Sequence, residues 1–237
     1  MNAIILAAGL GTRIRTYVNI PKALIKVDNI PIVESQITAL KEIGVNEICI
    51  VVGYRSESFS YLTEKFGVKL IYNPNFESYN NIYSLYLCRN HLENTWILNG
   101  DVYLRNNCLK EGVFSSSYLS SLKCNTKGEY IIVHDEKNKV IDILPPKDHE
   151  QINKDRQHFI ISGMSFWTKD ASLKIAELLN KYIMISTTIS GNNVKNWYWD
   201  QVVFHNLSQF DIYIKEVDVS DWSEVDSLTD LLLARSY

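Results

Sequence analysis

No two cysteines in this chain are spaced as a CxxC pair. Its four, Cys49, Cys88, Cys108 and Cys124, lie far apart, which argues against a zinc site and against a disulfide framework. They read as reduced thiols of the core or surface. An excess of either charge is also missing. Lys and Arg number 24 against 27 Asp and Glu, a net charge of -3, so no global basic field points to nucleic acid or to an anionic membrane. Long apolar runs are absent as well. The N-terminal run, Ala3 to Ala8, is short and has no basic lead, so it reads as a strand and not as a signal peptide or membrane span. A cytoplasmic location is the expectation. No long linker or internal repeat divides the chain. Its serine-rich stretch, Ser115 to Ser121, is too short to count as low complexity.

What is present is a regular alternation of strand and helix signals. The run at 3–8 is followed by a helical pattern from Ile30 to Gly44, with Val33, Ile37, Leu40 and Ile43 at spacings of three and four. Glu47 to Gly53 reads as a strand, Ser56 to Phe66 as a helix and Val68 to Tyr72 as a strand. This β-α-β-α-β order predicts an α/β fold: a Rossmann-like, open, mixed and mostly parallel sheet with helices on both faces. Further on, a helix is expected at Ile82 to Leu92 and a strand at Trp96 to Leu98 running into Asn99-Gly100-Asp101. A hairpin is expected from Tyr130 to Val133 and Val140 to Leu144, and a strand from Phe159 to Trp167. Helices are expected at Lys169 to Tyr182, Asn196 to Leu207 and Leu228 to Arg235, with a strand at Asp211 to Val217. The segments 145–156 and 183–195 read as polar loops.

The first strand opens into Gly9-Leu10-Gly11-Thr12-Arg13, and Pro21-Lys22 follows closely. Glycines let backbone N–H groups approach phosphate oxygens, and Arg13, Arg15 and Lys22 supply the counter-charge. Two familiar phosphate loops do not match. There is no Gly-Lys-Ser/Thr ending, and Ile14 stands where a dinucleotide fingerprint needs its third glycine. Nor does an acidic residue end the next strand, where Gly53 and Tyr54 stand. The remaining readings are a nucleoside triphosphate cradle and a plain tight turn with surface cations. Ligands of open α/β sheets sit beyond the carboxyl ends of the strands, where both the glycine loop and Asp101 fall.

Leu6 to Arg13 (LAAGLGTR) followed by Pro21 to Leu24 (PKAL) resembles the nucleotidyltransferase signature of the sugar-1-phosphate nucleotidylyltransferases. VVGY at 51–54, YNNIYSLYL at 79–87, SGMSFW at 162–167, YWD at 198–200 and EVDS at 224–227 are similar to the bacterial CTP:phosphocholine cytidylyltransferases. The resemblance spans nearly the whole chain. It implies a single nucleotidyltransferase domain over 1–237, with a nucleotide-binding half at about 1–110 and an acceptor-binding half at about 111–237. The implied partners are CTP and a small phosphomonoester, phosphocholine first, and the implied cofactor is Mg²⁺.

The resemblance also implies roles. Loop amides from Gly9 to Arg13, with Gly11 and Thr12, would hold the outer phosphates, Arg13 would stabilise the departing pyrophosphate, and Lys22 would bridge the two reacting phosphates. Asp101 and Asp226 would hold the metal, whose preference for carboxylate oxygens suits them; on local grounds alone, Asp226 reads as a helix cap beside Ser227. The base would lie against Ala7, Ala8, Gly53 and Tyr54, its polar edge read by Asn80, Asn81 and Ser84. Asn80 or Asn81 equally suits a cap of the next helix. A quaternary ammonium calls for aromatic faces and carboxylates, and the available set is Glu129, Tyr130, Trp167, Trp197, Tyr198 and Asp200, with Trp199 between the last two. On one helix Trp197 and Asp200 would share a face while Tyr198 and Trp199 point elsewhere, so at least half of these aromatics read as core. Tyr130 stands where the family has tryptophan, and the segment before Pro21 is slightly short and lacks a proline after Arg15. Phosphoethanolamine, 2-aminoethylphosphonate or a sugar 1-phosphate therefore remain as alternative acceptors. A non-catalytic nucleotide-binding module is disfavoured, because Lys22, Asp101 and Asp226 are all present.

Overall fold

The computed structural model describes residues 1–110, 112–124, 126–151, 156–189 and 193–236. The first half runs β1 (Asn2–Ala7), α1 (Thr12–Arg15), a small hairpin of β2 (Lys26–Val27) and β3 (Ile30–Pro31), then α2 (Ile32–Glu42) and β4 (Glu47–Val52). It continues through α3 (Tyr61–Phe66), β5 (Lys69–Tyr72), α4 (Asn81–Leu87), β6 (Thr95–Asn99) and β7 (Val102–Leu104). The second half contains β8 (Ser117–Lys123), β9 (Ile131–His134), β10 (Val140–Leu144) and β11 (His158–Trp167). It closes with α5 (Lys169–Thr188), α6 (Asp200–Phe204), β12 (Tyr213–Glu216), β13 (Trp222–Glu224) and α7 (Leu228–Ala234).

A mixed nine-stranded sheet carries both halves, with the path β10-β9-β11-β6-β1-β4-β5 and with β8 bridging β11 to β12. β1 lies inside it, pairing in parallel with β4 and β6. A strand with neighbours on both sides and helices on both faces reads as an unbroken apolar run, which is why Ala3 to Ala8 lacks alternation. Its side chains still part to opposite faces. Ala3, Ile5 and Ala7 join the core under α2 and α3, with Val33, Ile37, Leu40 and Leu62. Ile4, Leu6 and Ala8 join the core under α4, α5 and α6, with Ile82, Leu85, Ile175 and Val203. Among the described residues, no helix is long and apolar enough to cross a membrane.

Several elements differ from the sequence expectation. The helix expected from Ile30 begins at Ile32, because Ile30 and Pro31 pair with Lys26 and Val27 across Asp28-Asn29. Both turn residues have positive φ, 47° and 70°, as the tight hairpin turn requires. The helix expected to reach Leu92 ends at Leu87 and passes into a 3-10 turn at Arg89–His91. The serine-rich stretch is the buried strand β8. Its Ser121 hydroxyl donates to the Val217 carbonyl at 2.7 Å, so these small polar side chains are satisfied inside the sheet.

Helix α5 runs six residues past Tyr182, through part of the expected polar loop. Ser186 donates to Ile183 O, and Thr187 and Thr188 both donate to Met184 O. This back-bonding lets hydroxyl residues continue a helix. Residues 190–192 of that expected loop, and 152–155 of the earlier one, lie outside the described residues. The helix expected from Asn196 to Leu207 is interrupted. A 3-10 turn at Val194–Asn196 ends in Trp197, whose φ and ψ are -72° and 138°, and α6 begins only at Asp200. The ribbon of β7 and β13, paired antiparallel, carries no long pattern in the sequence and was not foreseen; it brings the C-terminal segment to the end of β6.

Candidate active site

The loop after β1 is shaped by Gly11. Its φ of 58° is left-handed, and a Cβ there would stand 3.2 Å from the Lys22 Cβ, so glycine lets the loop close down on Lys22. Lys22 itself is delivered by a 3-10 turn that starts at Pro21. From there its ammonium donates to Asp101 at 2.8 Å and also to Asp226. Arg13 reaches the other oxygen of Asp226.

Asp101 is placed by a close crossing. Gly100 passes over β1 so tightly that a Cβ would lie 2.8 Å from Leu6 O and 2.9 Å from Ala7 Cα. The Asp101 carbonyl accepts from Val225 N at 3.0 Å, which fastens it to the segment carrying Asp226. The cap reading for Asp226 is corrected here. Ser227 is the N-cap of α7 and forms a capping box with Asp230, which frees the Asp226 carboxylate to face Lys22 and Arg13.

A third carboxylate joins them. Oxygens of Asp101, Glu224 and Asp226 all lie within 4.8 Å of one another. Glu224 had not been singled out from the sequence. The available signal was its place two residues before Asp226, which in an extended segment gives both side chains the same face. Glu224 is held well above the usual carboxylate range by loss of solvation and by the charges of Asp101, Asp226 and Glu129, with Lys22 acting the other way. One oxygen of Asp101, Oδ1, is buried without a hydrogen-bond partner. Three crowded carboxylates with an orphaned oxygen form a donor set that suits a hard divalent cation.

This cluster opens onto a cleft of about 840 Å³, a size that suits a nucleotide with a small acceptor. Ala8, Gly9, Arg13, Asn80, Asn81, Ser84, Asp101 and Asp226 line it, as do Glu129, Tyr130, Tyr198 and Asp200. Ala7, Gly11, Thr12, Lys22, Gly53 and Tyr54 are not among its lining residues. Lys22 reaches it through its carboxylate partners. Gly53 and Tyr54 support the loop from behind: Tyr54 N donates to Ala8 O at 3.2 Å, and a Cβ on Gly53 would stand 2.6 Å from that same oxygen. The Tyr54 ring lies between the Arg15 and Arg55 guanidiniums, at 5.3 and 5.6 Å.

The asparagines serve the fold and the cleft together. Asn80 caps α4, its side chain accepting from Asn81 N at 2.7 Å. The Asn81 side-chain oxygen accepts from Trp199 N at 2.7 Å, which ties α4 to the start of α6. Ser84 accepts from Asn73 at 3.0 Å.

The aromatic set divides. Trp167 is fully buried and packs edge-on against Tyr118, Trp199 and Phe210. It is core, because the face of β11 that carries it is covered by α5 and α6. Trp197 packs against Tyr182 and His205, at 5.0 and 4.4 Å, and lies outside the cleft because the helix that would have aligned it with Asp200 is broken. Tyr130 and Tyr198 do line the cleft, joined by Phe204, whose ring centroid is 5.2 Å from that of Tyr130. Phe204 escaped the sequence reading because its spacing in NWYWDQVVFHNL suggests core alone.

One carboxylate, Asp200, stands at this aromatic end, its charge acting on Tyr130. Burial pushes Asp200 up to about 7, partly offset by the nearby Tyr118 hydroxyl, although that hydroxyl closes no hydrogen bond of regular geometry. Glu129, expected beside the ammonium, instead lies toward the glycine-loop carboxylates: it is raised by burial and by the charges of Asp226 and Asp230, against the pull of Lys123, 3.5 Å away. The cleft therefore has a cationic and carboxylate end at the glycine loop and an aromatic, acidic end at α6.

Comparison with known proteins places this geometry. Residues 3–109 match the MobA-like NTP transferase domain family. The chain is 39% identical to a choline-phosphate cytidylyltransferase of Streptococcus pneumoniae over 231 residues, covering 97% of this chain and 95% of that one. It is 29% identical to a 2-aminoethylphosphonate cytidylyltransferase of Lancefieldella rimae, covering 97% and 90% of the two chains. A solved structure of the CTP:phosphocholine cytidylyltransferase from Streptococcus pneumoniae superposes with a TM-score of 0.89 at 36% identity, over 99% of this chain and 97% of that one. An open α/β sheet, a glycine loop closed on Lys22 and a likeness running nearly the full length of both chains agree: the chain belongs to the choline-phosphate cytidylyltransferase family.

Proposed function

We propose that this protein transfers the CMP group of CTP to phosphocholine, giving CDP-choline and pyrophosphate. The observation that carries the reading is the two-ended cleft. A triphosphate and a zwitterionic phosphoester need opposite surroundings, and the cleft supplies both within one cavity. In the reaction, a phosphate oxygen of the acceptor attacks the α-phosphorus in line. The bond from that phosphorus to the oxygen bridging to the β-phosphate breaks, and pyrophosphate leaves with that oxygen. Little proton transfer is needed, so alignment and charge stabilisation dominate.

Arg13 and the amides of Gly9 to Arg13 would take the outer phosphates, with Arg13 countering the charge that grows on the leaving pyrophosphate. Lys22 would draw the two reacting phosphates together. Asp101, Asp226 and Glu224 would hold Mg²⁺, and the orphaned Asp101 oxygen supports that fit. When bound, the ion supplies positive charge beside the phosphate oxygens. Asn80, Asn81 and Ser84 border the space left for the base. Tyr130, Tyr198 and Phe204 would face the trimethylammonium, with Asp200 as its counter-charge.

The Asp200 carboxylate favours one second reading. It can also accept hydrogen bonds from a primary ammonium, so phosphoethanolamine or 2-aminoethylphosphonate would fit the same end. Pyrophosphate release measured across the four nucleotides and these acceptors tests the proposal. Turnover with CTP and phosphocholine above every other pair supports it. Turnover with glucose 1-phosphate and none with phosphocholine would overturn it.

A further inference from the structure

Helix α2 buries an amide in the middle of its apolar face. Val33, Ile37 and Leu40 cover the sheet, Ile32 joins a separate small core with Tyr103 and Val225, and Gln36 stands among them with no exposed surface. A buried amide is unfavourable unless it is hydrogen-bonded. Here the Gln36 Nε2 donates twice, to Asn99 O at 2.7 Å and to Val102 O at 2.8 Å. These two carbonyls bracket Gly100-Asp101. The amide oxygen of Gln36 is buried without a partner. The position is therefore occupied for its two donor hydrogens, and the acceptor is left unmatched.

The reason such a donor is required lies in the chain path. The parallel pairing of β6 to β1 ends at Asn99, opposite Leu6, and β7 begins at Val102. Between them the backbone leaves one sheet for another, so the carbonyls at 99 and 102 have no shared strand to pair with. Gly100 N donates to Leu6 O at 2.9 Å and the Asp101 carbonyl accepts from Val225 N at 3.0 Å. Gln36 supplies the remaining side-chain contacts, from the face of the turn away from the cleft. Its neighbour Ser35 accepts from Leu104 N at 3.0 Å, so the same helical turn also sets β7.

We propose that Gln36 is a positioning residue, clamping the turn that carries Asp101 so that its carboxylate points at Lys22, Glu224 and Asp226 before substrate arrives. The proposal rests on the reading of Asp101 as a metal-holding carboxylate. Gln36 reaches neither the cleft nor a reacting group and acts only through the backbone at 99–102. A residue of this kind sets how well a carboxylate is aimed, so its loss weakens metal binding and turnover more than nucleotide binding.

The test is Mn²⁺ titration by calorimetry, without nucleotide, on the wild type, Gln36→Met and Asp101→Asn, together with kcat and KM. Gln36→Met keeps the volume and removes both donors. The expected result is Mn²⁺ binding weakened about 10-fold, with a matching loss in kcat and little change in KM for CTP. Wild-type Mn²⁺ affinity in folded Gln36→Met, with Asp101→Asn weakened, overturns the proposal alone. Wild-type affinity in Asp101→Asn overturns the metal reading and this proposal with it. Absence of turnover with phosphocholine in the wild type overturns only the functional reading, because the Mn²⁺ comparison needs no turnover. Should Gln36→Met fail to fold, hydrogen exchange of the wild type decides. Amides at 99–104 as slow as those of β6 before Mn²⁺ is added support the clamp, and protection that comes only with Mn²⁺ overturns it.

Discussion

The ammonium of Lys22 lies 2.8 Å from the carboxylate of Asp101 and donates to Asp226 as well. The cation expected to meet the reacting phosphates is thus paired with the carboxylates expected to hold the metal. A lysine has only three donor hydrogens, so contacts to two carboxylates and contacts to phosphate compete. Metal and nucleotide together would relieve that competition: Asp101 and Asp226 would hold the ion, whose positive charge would stand in for the ammonium and leave Lys22 for phosphate.

Replacing Lys22 with Met should therefore act on turnover and on stability. Loss of a charge aimed at the reacting phosphates is expected to lower kcat/KM by about 10²–10³, measured by pyrophosphate release. Burial alone would lower the Lys22 pKa, but Asp101 and Asp226 more than reverse this, leaving it above 10.5. A cation whose folded-state pKa is raised contributes stability that is fully present below its unfolded value and lost as pH rises through the folded one. The melting-temperature advantage of the wild type over Lys22→Met should hold at about pH 8 and shrink above about pH 10.5. An equal melting temperature at about pH 8 would show that the pairs stabilise nothing.

Much of this arrangement was legible in the sequence because it depends on local chemistry. The glycine loop, Pro21-Lys22 and the strand that leads to Asp101 are read from neighbouring residues alone. What was not legible depends on distant ones. Glu224 joins the carboxylate cluster because β13 pairs with β7, and a three-residue ribbon leaves no periodic signal. Trp167 ends β11 and Tyr130 just precedes β9, and only the helices laid over the sheet decide that the first is core and the second lines the cleft. Hydroxyl residues at 186–188 looked like a loop because their helical back-bonds are invisible until the helix is formed. Gln36 sits in the expected helix at a spacing that matches its apolar face, and its partners lie 63 and 66 residues away.

Glu224 should reveal itself through divalent metal. The residue is exposed at the surface, yet its carboxyl is raised by loss of solvation among its neighbours and by the charges of Asp101, Asp226 and Glu129. A carboxyl raised on folding contributes stability at low pH that disappears as pH rises through its folded-state value. Glu224→Gln removes one of the crowded charges, so in EDTA at mildly alkaline pH it should melt higher than the wild type. With Mg²⁺ the order should narrow or reverse, because the wild type keeps three carboxylates for the ion. Thermal melts with EDTA and with Mg²⁺ check this. An equal Mg²⁺-dependent rise in both proteins would remove Glu224 from the metal set.

Asp200 should give acceptor binding its pH dependence. Its pKa is pushed up to about 7, by burial first. Below that value the carboxyl is neutral and offers little to an ammonium; above it the charge is present. KM for phosphocholine should fall as pH rises through about 7, while KM for CTP should not follow. Asp200→Asn should flatten that difference, with the titration of the acceptor phosphate common to both proteins and so cancelling. The stability sign is opposite. The Asp200 contribution is fully present below its unfolded value near 3.8 and is lost as pH rises through about 7. Asp200→Asn should accordingly melt above the wild type at alkaline pH, by a margin that closes toward pH 4 or so.

Tyr130 should decide between acceptors. It lines the cleft beside Phe204, ring centroids 5.2 Å apart, so the two rings offer a surface and not a hydrogen-bonding set. A quaternary ammonium cannot donate hydrogen bonds and depends on that surface. A primary ammonium can exchange it for hydrogen bonds to the Asp200 carboxylate. A cation over an aromatic face is worth about 0.5–2 kcal/mol, so Tyr130→Ala should raise KM for phosphocholine by about 2- to 30-fold. KM for phosphoethanolamine and 2-aminoethylphosphonate should rise less. Tyr130→Trp enlarges the π face and should shift the ratio of kcat/KM values toward phosphocholine. Steady-state kinetics with the three acceptors at saturating CTP measures both variants. Equal losses for all three in Tyr130→Ala would mean that the ring supports the cleft wall and does not read the ammonium.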